Sequence, residues 1–311
     1  MTKLVLEIVP TKKVSMVRVR IPAGENLAPS LTNVTVTYGK DTQTRRRVPE
    51  SATVIEFTSL PEAQKLTIDF GGPLPAGTVI LPEQTGSIVS PIPALVNDAT
   101  GALTPFGYIW HPDHPPVGLK SVVSSLFAHN AHLVALPGTF SRLPLLTSVP
   151  ESLFFPLIYL RSFAGVFALS GIAEVSRQLF TANLQAEDFT ESFAGCKSLT
   201  TVPEELFSTN THAHVFDRLF AESGLTKIPE KLFWPTRKKG SFVETFARAC
   251  VTEIPARLME NLEPADVDGM FEPAHLQDRD PIHLKSACRF PTQFLSDTLK
   301  ANGVPTKRAS R

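Results

Sequence analysis

Short segments in which apolar and polar residues alternate fill the first 95 residues of the chain. The alternation runs through residues 4–9, 17–21, 34–38, 53–57 and 66–70, which are rich in branched side chains and are separated by glycine and proline turns. Successive side chains of a strand point to opposite faces, so this period of two predicts half-buried strands. We therefore expect residues 1–95 to form a small antiparallel β sandwich or barrel.

A second, longer pattern recurs from about residue 118. It contains a proline, replaced by serine in one copy, at residues 150, 176, 203, 229 and 255, a period of 26 or 27. Self-similarity at this period is typical of stacked arrays, in which each unit buries a face of its neighbours. The fullest copy reads Leu199-x-x-Val202-Pro203-x-x-Leu206-Phe207.

Each unit also carries two apolar residues four positions apart, as in Phe189 and Phe193, Phe216 and Phe220, and Phe242 and Phe246. Residues i and i+4 share one face of a helical turn, so these pairs predict a short helix in each unit. The proline suits the first position of another helical turn. The glutamates that follow it would favour the N-terminus of that turn, at Glu151, Glu204 and Glu230.

The repeat resembles a known family. Phe193-x-x-Cys196-x-x-Leu199-x-x-Val202-Pro203-x-x-Leu206-Phe207 is similar to the bacterial leucine-rich repeats of the BspA-like (treponemal) type. The resemblance covers about residues 118–295 and implies a curved solenoid that acts in adhesion or protein binding, commonly on bacterial surfaces and in phage proteins. The units here are longer than those of the family, and only Cys196 and Cys250 keep its cysteine.

The predicted fold class is α+β, a small antiparallel β sandwich or barrel followed by a leucine-rich-repeat solenoid of 26–27-residue units. The expected domains are a β-rich anchoring domain over 1–95, a proline-rich connector over 96–117, the solenoid over 118–295 and a polar tail over 296–311. The connector carries Phe106, Tyr108 and Trp110, so we expect it to pack along one of its neighbours.

Composition narrows the possible partners. Thirty basic residues balance thirty acidic ones, for a net charge of +0. Affinity for nucleic acid or an anionic membrane comes from a basic surplus, so neither is an expected partner. The first ten residues lack the pattern of a secretory signal, and no segment is as apolar as a membrane span. The chain is therefore expected to be made in the cytoplasm.

Catalytic and metal chemistry find no supporting motif. The chain has no nucleophile elbow, no phosphate loop and no recognisable pair of carboxylates, so we expect no enzyme activity and no cofactor. Three histidine pairs could suggest a metal site, but surface or structural histidines are the preferred interpretation. These pairs are His111 and His114, His129 and His132, and His212 and His214.

The candidate binding residues form a column that varies from unit to unit. It lies beside a more constant column of threonines, at Thr147, Thr200, Thr226 and Thr252. Variable positions on a constant scaffold are how repeat proteins bind partners, although simple solvent exposure explains each residue as well. The candidates are Glu174, Thr201, Lys227 and Glu253.

The functional hypothesis is a non-enzymatic structural or binding protein. A peripheral phage virion component, such as a fibre, tail-tip or decoration protein, fits a surface-acting repeat without an export signal, because lysis releases it. In this hypothesis the N-terminal domain attaches to a larger assembly, and the repeats bind a protein or surface glycan. Homo-oligomers are possible. The alternative is a bacterial adhesin or cytoplasmic scaffold for protein–protein interaction.

Overall fold

The structure is a computed structural model, and it describes residues 3–10, 16–21, 33–46, 53–71, 74–75, 79–96, 109–111, 113–236, 240–252, 254–255, 258 and 269–271. These residues contain ten strands and no helix. Accordingly, no helix capable of crossing a membrane occurs among them. The predicted polar tail, 296–311, lies outside this part of the chain.

Ten strands occupy the first 122 residues. They are β1 (Lys3–Ile8), β2 (Met16–Ile21), β3 (Asn33–Tyr38), β4 (Asp41–Arg46), β5 (Thr53–Thr58), β6 (Gln64–Asp69), β7 (Leu74–Pro75), β8 (Thr85–Ile88), β9 (Leu95–Val96) and β10 (Ser121–Val122). The five alternating segments of the sequence correspond to β1, β2, β3, β5 and β6. Their apolar positions are buried, as in β1, where Leu4, Leu6 and Ile8 face the core.

The strands form one large mixed sheet and two small ones. The large sheet has the order β10-β8-β1-β6-β3-β4, and β2 with β5 and β7 with β9 form two-stranded sheets. The β8–β10 and β7–β9 pairs are parallel, whereas the other strand pairs are antiparallel. The predicted antiparallel sandwich or barrel is therefore wrong in its pairing.

Strand β4 escaped the sequence analysis because its residues are polar. It pairs with β3 through a tight turn in which Gly39 has a φ of 60°. Threonine hydroxyls link the two strands, Thr35 to Thr44 at 2.9 Å and Thr37 to Thr42 at 3.0 Å. Tertiary pairing, and not alternation, therefore defines this strand.

The repeated region consists of consecutive turns. We define five turn units by the residues that form single parallel bridges between neighbours: Ala135 (unit 1), Ser162 (unit 2), Asp188 (unit 3), Val215 (unit 4) and Ser241 (unit 5). The units contain neither helices nor the continuous strand ladder that was expected. The predicted α+β class and its leucine-rich-repeat solenoid of strands and helical turns are thus overturned.

The destination of the backbone amides explains why no helix forms. Alternate amides of unit 2 donate to carbonyl oxygens of unit 3 at 2.7–2.9 Å, from Phe163, Gly165, Phe167 and Leu169. Of the intervening amides, those of Val166 and Ala168 donate to the carbonyl three residues earlier in their own unit at 3.0 Å, and that of Ala164 donates to the hydroxyl of Ser162 at 3.2 Å. An α-helix needs every amide for the carbonyl four residues earlier, so sharing them between units excludes it.

Phenylalanine rings fill the interior in three columns. Successive rings within each column have centroids 5.4–5.7 Å, 5.2–5.8 Å and 5.9–6.2 Å apart in the Phe167, Phe163 and Phe180 columns respectively. The Phe167 column contains Phe140, Phe167, Phe193, Phe220, Phe246 and Phe271; the Phe163 column contains Phe163, Phe189, Phe216 and Phe242; and the Phe180 column contains Phe127, Phe154, Phe180, Phe207 and Phe233. Columns, and not helix faces, explain the four-residue spacing.

The core is continuous from β1 to Phe271. Trp110 is buried with its ring centroid 5.9 Å from that of Phe140 in unit 1. The side chain of Asn130 accepts from the amide of Leu95 at 2.8 Å and donates to the carbonyl of Pro93 at 3.1 Å. The connector therefore packs on unit 1 through Trp110. The other two aromatic residues of the connector, Phe106 and Tyr108, lie outside the described residues. The division into domains stays a prediction.

Candidate functional site

A groove of about 670 Å³ crosses units 3, 4 and 5 where each has its apolar-proline step. Val202, Ile228 and Ile254 line its floor, one from each unit. Val202 and Ile228 are buried, and Ile254 is half-buried against the core. The complete lining is Thr201, Val202, Glu204, Lys227, Ile228, Pro229, Glu230, Ile254 and Pro255.

Backbone hydrogen bonds hold the three steps in register. The amide of Thr226 donates to the carbonyl of Thr200 at 3.0 Å, and the amide of Thr252 donates to that of Thr226 at 2.9 Å. The hydroxyls of Thr226 and Thr252 donate to the same two carbonyls at 3.2 and 3.1 Å. The threonine column therefore fixes the spacing of the groove wall, in addition to suiting an extended backbone.

Each proline begins a β-turn immediately beyond the floor. The amides of Leu206, Leu232 and Leu258 donate to the carbonyls of Pro203, Pro229 and Pro255 at 3.3, 3.3 and 3.1 Å. Proline is the first residue of each turn, where only its carbonyl takes part in the turn hydrogen bond, so its missing amide proton costs nothing there. Glu204 and Glu230, the residues after Pro203 and Pro229, line the groove.

The predicted binding residues do not all meet. Thr201 and Lys227 are exposed and line the groove. Glu174 is exposed in unit 2 but does not belong to the lining, and Glu253 lies outside the described residues. Units 3 and 4 therefore bring two of the four predicted binding residues, Thr201 and Lys227, to the same groove.

Glu204 and Glu230 also line the groove, although the sequence did not mark them as candidate binding residues. They follow Pro203 and Pro229 and were interpreted only as charges that favour a helical turn. One carboxylate oxygen of Glu204 accepts from the amide of Lys231 at 3.2 Å. The identical position in two neighbouring units was the signal available in the sequence, since stacking brings equivalent positions side by side.

Other charged columns alternate in sign. Arg218 lies between two glutamates of neighbouring units, with Nε donating to Glu191 at 2.8 Å and one terminal nitrogen to Glu244. Burial lowers the pKa of the Arg218 guanidinium, but these two hydrogen-bonded carboxylates outweigh it, so the pKa lies above its ordinary value. Arg161 with Glu187, at 3.6 Å, and Arg248 with Glu222, at 3.1 Å, pair in the same way.

The histidines do not converge. The ring centroids of His111 and His114 lie 5.1 Å apart. The Nδ1 atom of His212 is hydrogen-bonded to the carbonyl of Leu184, and that of His214 to the carbonyl of His212. His132 is half-buried, and desolvation lowers its pKa against a hydrogen bond to the backbone of Leu95. In the described part of the chain, no group of three or more histidine, cysteine, aspartate or glutamate residues has metal-binding geometry.

The chain matches no protein-family model, no curated protein and no solved structure. A function for this chain is therefore inferred from its own residues.

Proposed function

We propose that this protein is a non-enzymatic binding protein that engages a protein partner through the groove of units 3–5. The observation that carries the proposal is the convergence of Thr201 and Lys227, both exposed and variable between units, on one apolar floor. A concave surface with an apolar floor and a few charged groups at its rim is the usual form of a recognition site.

Comparison within the repeat supports a role beyond folding. Ser148 and Glu174 occupy the position of Thr201 and Lys227 in units 1 and 2, where they are exposed but do not line the groove. The same fold position therefore tolerates four different side chains. Because packing does not dictate these residues, their identity is free to serve binding.

The context belongs to the proposal as well. The protein is a peripheral component of a phage particle, and the alternative is an adhesin or cytoplasmic scaffold. The resemblance of the repeated motif to BspA-like sequences supports a surface context. Residues 1–117 attach to the assembly, although Trp110 is buried against Phe140 and so contributes no surface to that attachment.

Site-specific photo-crosslinking tests the groove. A benzophenone amino acid is placed at Thr201 or Lys227 of the full chain, and at Ser148 or Glu174 as matched controls, in cells that assemble the parent particle. We expect one defined protein to cross-link from the groove positions and not from the controls. Equal cross-linking from all four positions, or none from the groove, would refute the proposal.

Antibody labelling tests the context. Negative-stain images of particles treated with an antibody against this chain should show label at one constant site on the virion. Label confined to the cell surface or cytoplasm of uninfected bacteria would instead support the adhesin or scaffold alternative.

A further inference from the structure

The groove carries a charge arrangement that differs from the rest of the repeat. At the position after the proline, units 1 to 4 carry Glu151, Arg177, Glu204 and Glu230. The sign alternates from Glu151 to Arg177 to Glu204, and then two glutamates follow each other. Among the described units, this is where neighbours place the same charge at equivalent positions.

Two adjacent like charges carry an energetic cost that the fold does not require. Phe207 and Phe233, which follow Pro203 and Pro229 by four residues, have ring centroids 6.2 Å apart, so the two glutamate side chains begin about one unit apart. Like charges at this separation repel. Lys227, the one basic residue in the groove lining, offsets one of the two carboxylates and leaves one negative charge unbalanced. A basic group placed between the carboxylates would remove the repulsion.

From this geometry, and resting on the proposed function, we infer that the occupant of the groove is an extended segment of a protein partner with a basic side chain. That side chain lies between Glu204 and Glu230, and a neighbouring apolar side chain packs on Ile228 and Ile254. Arginine suits this role because its planar guanidinium donates to two carboxylates at once.

Dimensions are consistent with an extended segment. The floor spans three units, or two spacings of 5.6–6.2 Å. An extended chain advances about 3.3 Å per residue, so three to four residues cross the floor. Side chains on one face of such a segment recur at about 6.6 Å, close to one unit. Alternate residues can therefore address successive units.

Peptide binding to the full chain tests the inference. The probe is a fluorescein-labelled hexapeptide of alternating isoleucine and arginine, and its control replaces each arginine with glutamate. Fluorescence anisotropy at low salt should give a Kd at least about tenfold lower for the arginine peptide. A second control peptide replaces each arginine with neutral glutamine. If either control peptide binds as tightly as the arginine peptide, the inference is wrong.

Matched variants locate the effect. The double variant Glu204→Gln, Glu230→Gln keeps the hydrogen-bonding shape and should weaken the arginine peptide by about tenfold. Glu151→Gln, at the equivalent position beside Arg177, should change binding by less than about twofold. Without the peptide, Glu230→Gln should raise the thermal midpoint because it relieves the repulsion. An unchanged or lower midpoint would contradict the charge argument, even if the variant binds poorly.

The two proposals fail separately. If Thr201 and Lys227 cross-link to a partner but the arginine peptide shows no preference, the occupant inferred here is wrong and the binding role stands. If the peptide binds as expected but no partner cross-links in the assembly, the binding role in that assembly is wrong.

Discussion

Cys196 shows how a single side chain connects two units. Its thiol donates to the carbonyl of Phe167 in unit 2 at 3.1 Å and lies 3.6 Å from the hydroxyl of Ser170. Serine occupies the equivalent positions 170 and 223. A small side chain that can donate a hydrogen bond suits this buried corner, so Cys196 has a structural role and no need of reactivity.

The thiol gives a pH-dependent prediction. Burial raises the pKa of Cys196 to about 11 from an ordinary value of 9.0. Between pH 9 and 11 the unfolded chain loses this proton while the folded protein keeps it, so the free energy of unfolding falls as pH rises. The loss should reach about 2–3 kcal/mol, measured by urea unfolding of the wild type relative to Cys196→Ser.

Cys250→Ser provides the control for that experiment. It leaves Cys196 in place, so the fall between pH 9 and 11 should persist. If the wild type and Cys196→Ser show the same dependence on pH, the thiol is not protected by the fold.

At the scale of the element, each turn unit has two left-handed positions four residues apart. The first is occupied by Gly138, Gly165, Glu191, Arg218 and Glu244, all with φ between 53° and 63°. A residue with a Cβ pays about 1–2 kcal/mol in this region, which glycine avoids. The later units accept that cost and form the ion pairs of Arg218 instead.

Substitution at Arg218 separates the two effects. Arg218→Gln loses the ion pairs and keeps the backbone strain, whereas Arg218→Gly loses both. Glycine should therefore give the more stable protein of the two, by about 1 kcal/mol in urea unfolding. At Arg177, which lacks a positive φ, glycine should be the less stable choice by about 0.5–1 kcal/mol. The same order at both sites would contradict the argument.

A different constraint acts on Gly171. The segment from Phe167 to Ile172 is one residue shorter than the equivalent segment from Phe193 to Leu199 in unit 3. A Cβ at Gly171 would lie 2.1 Å from the carbonyl oxygen of Pro144, a contact with rigid backbone. Gly171→Ala should cost about 3 kcal/mol by overpacking. Gly138→Ala, whose Cβ would have its nearest contact with the Ser141 hydroxyl at 3.3 Å, should cost about 1 kcal/mol from its φ of 56°. Urea unfolding that reverses this order would show that the corner can yield.

At the scale of the whole molecule, the phenylalanine columns transmit stability from unit to unit. The ring of Phe220 contacts Phe193 at 5.6 Å and Phe246 at 5.7 Å. Phe220→Ala should cost about 3–5 kcal/mol through the cavity it leaves. Because units contact mainly their neighbours, hydrogen exchange should accelerate in units 3–5 while β1 and β6 stay protected.

Phe155→Ala is the control, since Phe155 lies at the surface of unit 1 with 38% exposure. It should change stability by no more than about 1 kcal/mol and leave exchange unaltered. Exchange that rises equally in β1 and in unit 4 after Phe220→Ala would show that the continuous core unfolds as one cooperative body.

The sequence by itself determined the strands with alternating residues and the period of the repeat. Alternation over five or six residues is a local property, so β1, β2, β3, β5 and β6 could be predicted, whereas polar β4 could not. The 26- or 27-residue period is likewise a property of the sequence alone, and the phenylalanine pairs that recur with it are buried. Thr201 and Lys227 emerged as candidates from the same pattern.

Only the tertiary structure decided how the units are built and where the groove lies. Four-residue spacing of phenylalanines fits both a helix and a run of turns, and the choice depends on whether amides bond within a unit or to its neighbour. That partner is about 26 residues away, so no local pattern reveals it. Glu204 and Glu230 line one groove with Ile228 for the same reason, because stacking in register brings equivalent positions of neighbouring units together.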